Sequence, residues 1–168
     1  AHPFSTYSPN FDNSPEIILP SNPIVHWTFD ELNGTVVIDS SGVGNVGDGT
    51  SFSDLYLFSE SGRNGTALRF DGNQSLRLPS DVATFNLTGP FAIGLWLNSA
   101  DLNGVIFRSD RIKFYISNGF INAEVRIGGT WKISNSFPLS INQWVHYILQ
   151  WDGNKVVVYV NNEEVIAP

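Results

Sequence analysis

Cysteine and methionine are both absent from the 168 residues. The first absence excludes disulfides and thiolate metal sites, and it permits an extracellular home without requiring one. The second extends to position 1, so a processing step that leaves Ala1 first is expected. Removal of a signal peptide and loss of an initiator Met both fit, and we carry secretion forward as the expectation. Charge is scarce too. Charged residues make up 15% of the chain, which argues against long solvated helices, and positive charge is scarcest, with 9 Lys and Arg against 16 Asp and Glu and a net charge of −7. No run of Lys and Arg offers the basic stripe a polyanion needs, so neither nucleic acid nor an anionic membrane surface is an expected partner. The longest apolar runs fall far short of the ~20 residues that span a bilayer, so membrane insertion is not expected either.

What is plentiful points one way. Hydrophobic residues reach 42%, and 15 Gly and 9 Pro, with many Asn, Ser and Thr, divide the chain into short segments. This is the composition of an all-β sandwich or barrel in one domain with a full-sized core. Residues 1–23 hold five Pro and little pattern except Ile17-Ile18-Leu19 between Pro15 and Pro20. They read as an arm with one short potential strand, and the domain proper is expected at 24–168.

Strands are predicted at Ile24–Phe29, Thr66–Phe70, Ser75–Leu78, Phe91–Leu97, Val105–Phe107, Ile112–Ile116, Phe120–Ile127, Trp131–Ile133, Trp144–Trp151 and Lys155–Val160. Asn118-Gly119, Gly128-Gly129 and Asp152-Gly153 separate consecutive runs and predict tight hairpins, because Asn and Gly accept the positive φ such turns demand. Phe91, Ile93, Leu95 and Leu97 share one strand face, as do Val145, Tyr147, Leu149 and Trp151. Two sheets with such faces pack as a sandwich.

Several motifs follow one another in a recognisable order: Trp27-x-Phe29-Asp30-Glu31, Asp39-Ser40-Ser41-Gly42, Gly65-x-Ala67-Leu68-x-Phe70-Asp71-Gly72, Trp96, Trp144-x-His146 and Tyr159-Val160-Asn161. Over roughly residues 24–165 the chain resembles the laminin-G-like, concanavalin A-like β-sandwich family of secreted and surface proteins. The resemblance implies a jelly roll of two antiparallel sheets, Trp27, Trp96, Trp144 and Trp151 mostly in the core, and a packed, hydrogen-bonding ring at His146. It also implies two further strands after Tyr159-Val160-Asn161, and Gly where Asn162 stands. The sandwich is therefore expected to lack its own last strands and to leave an edge bare.

Glycosidases of this fold carry a Glu-x-Asp-x-x-Glu run or a near variant, because retaining chemistry needs two carboxylates ~5–5.5 Å apart. No such run exists here, and no Gly-x-Ser-x-Gly or His-x-His pattern stands in for it. The expectation is a protein without catalysis. Glu124, inside a predicted strand and two residues from Arg126, reads as part of a solvated face. Some relatives bind calcium, which makes Asp30, Asp39 and Asp71, with Asp48, candidate oxygen ligands in turn-rich segments. The same Asp residues also read as bonding their own turns. Trp131 follows a Gly-Gly turn and is the Trp expected to be most exposed, either as a platform for a sugar's apolar face or as a packing residue. Four Asn-x-Ser/Thr sequons, at Asn33, Asn64, Asn73 and Asn86, matter only in a cell that glycosylates its exports.

Two functions follow. In the first, the protein is a non-catalytic extracellular or surface structural subunit. Its arm, through Phe11, Ile17, Ile18 and Leu19, supplies the missing strand to the next copy, so that the partner is the chain itself in a homopolymer or filament. The arm folding back into its own sandwich stays open beside this. In the second, the protein is a carbohydrate-binding adhesion module whose partner is a polysaccharide or glycan, with Trp131 in the binding site.

Overall fold

The computed structural model describes residues 23–31, 34–42, 49–51, 58–77, 89–134 and 136–165. Among them no helix occurs, and every regular element is a strand. These are β1 (Val36–Val37), β2 (Gly49–Ser51), β3 (Phe58–Ser61), β4 (Thr66–Arg69), β5 (Leu76–Arg77), β6 (Phe91–Leu97), β7 (Gly104–Arg108), β8 (Ile112–Ser117), β9 (Phe120–Ile127), β10 (Thr130–Ile133), β11 (Phe137–Pro138), β12 (Val145–Trp151), β13 (Val156–Val160) and β14 (Glu163–Glu164). All the pairings between them are antiparallel.

Two sheets carry the core. One is ordered β14-β13-β12-β6; the other is β10-β9-β8-β7, with β11 continuing the β10 edge along β9. The register sets Val145 against Leu97, Tyr147 against Leu95, Leu149 against Ile93 and Trp151 against Phe91, so the two alternating faces read from the sequence become one apolar face. It packs with Val158 against Ile112, Phe114, Ile116, Ile121, Ala123 and Phe137 of the other sheet. This is the face-to-face packing of a β-sandwich, with inward residues recurring every second position along each strand. The expectation of an all-β sandwich of antiparallel sheets is met. The opposite face of β12 and β13 is buried as well, through Ile148, Val157 and Tyr159, so these central strands are apolar on both sides.

Three turns fix the register. Asn118 and Gly119 take φ of 50° and 78°, Gly128 and Gly129 take 56° and 83°, and Asn161 and Asn162 take 51° and 71°. Paired positive φ gives the backbone twist that two-residue hairpins between right-twisted strands require. At the fourth turn the Asp152 carboxylate accepts from the Asn154 and Lys155 N–H groups at 2.7 and 2.8 Å, and these bonds hold its pKa below the usual range.

Two expectations need correction. Ile24–Phe29 is not a strand, although its burial still alternates residue by residue. The N–H of His26 goes to the Asp39 carboxylate at 2.9 Å, Ser40 donates to the His26 carbonyl, and Phe29 turns to a φ of 61°, so no ladder propagates. Nor does Val156–Val160 end the sheet. The Asn161-Asn162 turn returns the chain as β14, which pairs Glu164 with Tyr159 and Glu163 with Val160. The arm residues Phe11, Ile17, Ile18 and Leu19 lie outside the described residues.

Candidate functional site

The outward face of the five-stranded sheet is where chemistry-bearing side chains gather. On β8 and β9, Ile112, Phe114, Ile116, Ile121, Ala123 and Val125 point into the core, so Lys113, Tyr115, Asn122, Glu124 and Arg126 point out. Register then arranges them in rows. Trp131 of β10 stands opposite Arg126, whose N–H bonds the Arg111 carbonyl at 2.7 Å and so sets Arg111 on its other side. In the next row Ile133, Glu124, Lys113 and Arg108 face one another across four strands. Neighbouring strands are about 4.8 Å apart, so each row is a continuous line of side chains.

Glu124 anchors this face. Its Oε2 accepts from Lys113 Nζ at 2.9 Å and its Oε1 from the Tyr115 hydroxyl at 2.8 Å. The Lys113 bond holds the Glu124 carboxyl below the usual carboxylate range, against the pull of partial burial, and the Tyr115 bond adds to it. The hydrogen bond to Glu124 also pushes the Tyr115 phenol up, since ionising the phenol would remove the proton it donates, and burial and the neighbouring negative charge add to this. Lys113 Nζ also lies 4.0 Å from the Trp131 ring centroid, a cation–π contact. Trp131 is thus half-buried, not the most exposed Trp, because its neighbours across the strands close around it. Beyond the row end, Asp110, Arg111, Arg126, Gly128 and Gly129 line an open cleft of about 290 Å³. Arg126 Nε donates to the Gly129 carbonyl at 3.3 Å, which ties the guanidinium to the turn.

The most exposed Trp is Trp96, on the outward face of the other sheet, at 47%. The Arg63 guanidinium lies 5.3 Å from its ring centroid and the His146 ring 5.1 Å away. His146 therefore packs outside the sandwich, not within it, because the inward positions of β12 are the odd-numbered ones.

The three Asp residues proposed as calcium ligands serve separate loops. Asp39, 7% exposed, accepts from the N–H groups of His26 and Ser41 through Oδ1, both at 2.9 Å, and from the Ser41 hydroxyl through Oδ2. Asp30 Oδ1 accepts from the Thr66 N–H and hydroxyl, each at 3.3 Å. Asp71 Oδ1 accepts from the Asn73 N–H at 3.0 Å, which lowers its pKa. Each carboxylate thus bonds backbone or hydroxyl groups near its own loop, as Asp in turns commonly does. Among the described residues no three His, Asp or Glu side chains gather to hold a metal.

A family profile described as the concanavalin A-like lectin/glucanases superfamily, of laminin G type, matches residues 70–167. The chain belongs to this superfamily. No curated protein sequence matches it significantly. A solved structure titled as the binding domain of botulinum neurotoxin DC in complex with SialylT is similar over 82% of this chain at 11% identity and a TM-score of 0.46. The similarity spans 40% of that chain's length.

The matched segment of this laminin G-type sandwich contains both core sheets and the whole outward face, whereas the Trp27 and Asp39 motifs precede it. Sequence reading singled out Trp131 and placed Glu124 and Arg126 on a solvated face. It missed Lys113, Tyr115 and Arg111, whose only signal is position parity on β8 once β9 is set beside it.

Proposed function

We propose that the protein is a non-catalytic carbohydrate-binding module of a secreted or surface protein, and that it binds through the outward face of β7–β10. One observation carries this reading: an indole, Trp131, stands in line with fixed polar groups on a sheet face that the core leaves to solvent. Stacking on the ring covers the apolar side of a sugar, and Glu124, Asn122 and the Arg side chains answer its hydroxyls. Membership of a lectin/glucanase superfamily supports it. Against hydrolysis, Glu124 has a lysine and a tyrosine as its partners, where glycosidase chemistry needs a second carboxylate. Assembly through the arm rests on the sequence of residues 1–23 alone, and no described contact favours it.

Affinity electrophoresis against a panel of neutral and acidic polysaccharides tests the proposal. The full chain is expected to be retarded by at least one glycan, Trp131→Ala to lose at least tenfold in affinity (about 1.4 kcal/mol) and Trp131→Phe to keep part of it. A fully folded protein retarded by none, or retardation indifferent to Trp131→Ala, would overturn it.

A further inference from the structure

The structure assigns a ligand class to this face: an acidic polysaccharide whose carboxylate or sulfate groups are held between Arg111 and Arg126 in the cleft at the end of the sheet. The inference rests on the carbohydrate-binding reading above and narrows it. Its first support is the charge distribution. Residues 104–134 carry five of the nine Lys and Arg residues, with Asp110 and Glu124 as the only acids; Arg108, Arg111, Lys113 and Arg126 fall on the outward face, while Lys132, opposite Val125, has the other parity. That stretch is +3, in a chain whose remainder is −10. Such an asymmetry draws an anion to one place on a molecule that repels it elsewhere.

The second support is which of these charges are spent. Glu124 neutralises Lys113 at 2.9 Å. Among the described residues Arg108, Arg111 and Arg126 make no ion pair, although Asp110 lines the same cleft as the two last. Arg126 spends only Nε, on the Gly129 carbonyl, and keeps its terminal amino groups free. A guanidinium fork matches the planar carboxylate or the oxygens of a sulfate with paired charge-assisted bonds. Asp110, an acceptor beside two donors, suits the hydroxyls that a sugar acid carries next to its charge. Trp131, opposite Arg126, sets a stacking surface one strand away from the charged group. A nucleic acid would need cations spaced along its backbone, and a patch this short on a chain of net −7 does not supply them.

The test is native-gel affinity electrophoresis of the full chain in dextran, carboxymethyl dextran, dextran sulfate or single-stranded DNA. At least one acidic dextran is expected to bind tenfold or more tightly than plain dextran, and which one it is identifies carboxylate or sulfate as the group held. Arg111→Gln with Arg126→Gln should remove at least tenfold of that binding, and Arg126→Lys, which keeps charge but not the fork, should lose less. Arg63→Gln with Arg69→Gln makes the same change of charge elsewhere and should stay within twofold. Equal losses from the two double variants, or DNA binding as tight as the acidic dextrans, would overturn the inference. Trp131-dependent binding of neutral glycans with no preference for acidic ones would overturn it and leave the carbohydrate-binding reading standing, whereas no retardation by any glycan would remove both.

Discussion

Glu124 shows how one side chain organises a face. Its two oxygens hold Lys113 and Tyr115, residues 11 and 9 positions earlier, and through Lys113 it sets the ammonium over Trp131. Because its folded pKa is lowered, the ionised carboxylate adds stability at pH values above the ordinary glutamate range, and that stability is lost as the pH falls through the lowered value. Glu124→Gln should therefore cost about 1 kcal/mol at pH 7, and the difference from wild type should vanish in acid, where both side chains are neutral. Urea titrations at pH 7 and pH 3 check this. The Tyr115 phenol, freed from the carboxylate, should also ionise at lower pH in the variant, which ultraviolet titration reads. Parity along β9 made the solvated orientation of Glu124 legible from sequence, but its partners sit on another strand and were not.

At the scale of elements, turns and ladders decide more than strand propensity does. Gly119 takes a φ of 78°, and a Cβ there would lie 3.3 Å from Leu102 Cδ2, so Gly119→Ala should destabilise by about 1–2 kcal/mol. Asn162 holds a φ of 71° in the turn before β14, where the family pattern has Gly. Asn162→Gly relieves that conformation and should raise stability by some tenths of a kcal/mol, since Asn-Gly is the favoured pair in this turn type. Thermal melts of the two variants test both signs. The same turn explains why the chain does not leave the sheet at Val160: Asn accepts the left-handed region well enough for Glu163–Glu164 to return and pair with the last two residues of β13. Strands long enough to alternate, such as Phe91–Leu97 and Phe120–Ile127, have the bounds their patterns predict. Two-residue strands such as Val36–Val37, Phe137–Pro138 and Glu163–Glu164 contain too little pattern to be read.

For the whole molecule, arm exchange and glycan binding make separate demands. If copies exchanged strands through the arm, Ile17→Asp and Leu19→Asp would bury a charge without a partner and break the assembly. The carbohydrate-binding face needs no second copy, so the expected outcome is glycan retention unchanged in Ile17→Asp/Leu19→Asp, whatever mass light scattering gives for the full chain. Loss of retention together with a fall in mass would show that the binding face is completed by assembly. No helix among the described residues is long and apolar enough to cross a membrane.

Sequence alone determined the fold class, because position parity and turn chemistry are local: a run of alternating apolar residues closed by Asn-Gly can do little other than form a hairpin with one face buried. It determined the inward faces of the long strands for the same reason, but Trp96, expected mostly in the core, stands on the outward parity of β6 and is 47% exposed. Only the tertiary structure decided the candidate site. Lys113, Glu124, Arg126 and Trp131 come from three strands and Arg111 from the residue just before β8, and they stand in adjacent rows only because the register of β8 on β9 and β10 on β9 sets them there. A chain with few cations and no basic run looked unfit for any polyanion. Cross-strand pairing sets Arg108, Arg111, Lys113 and Arg126 on one face, and that alignment is a property of the sheet, which their spacing along the chain does not show.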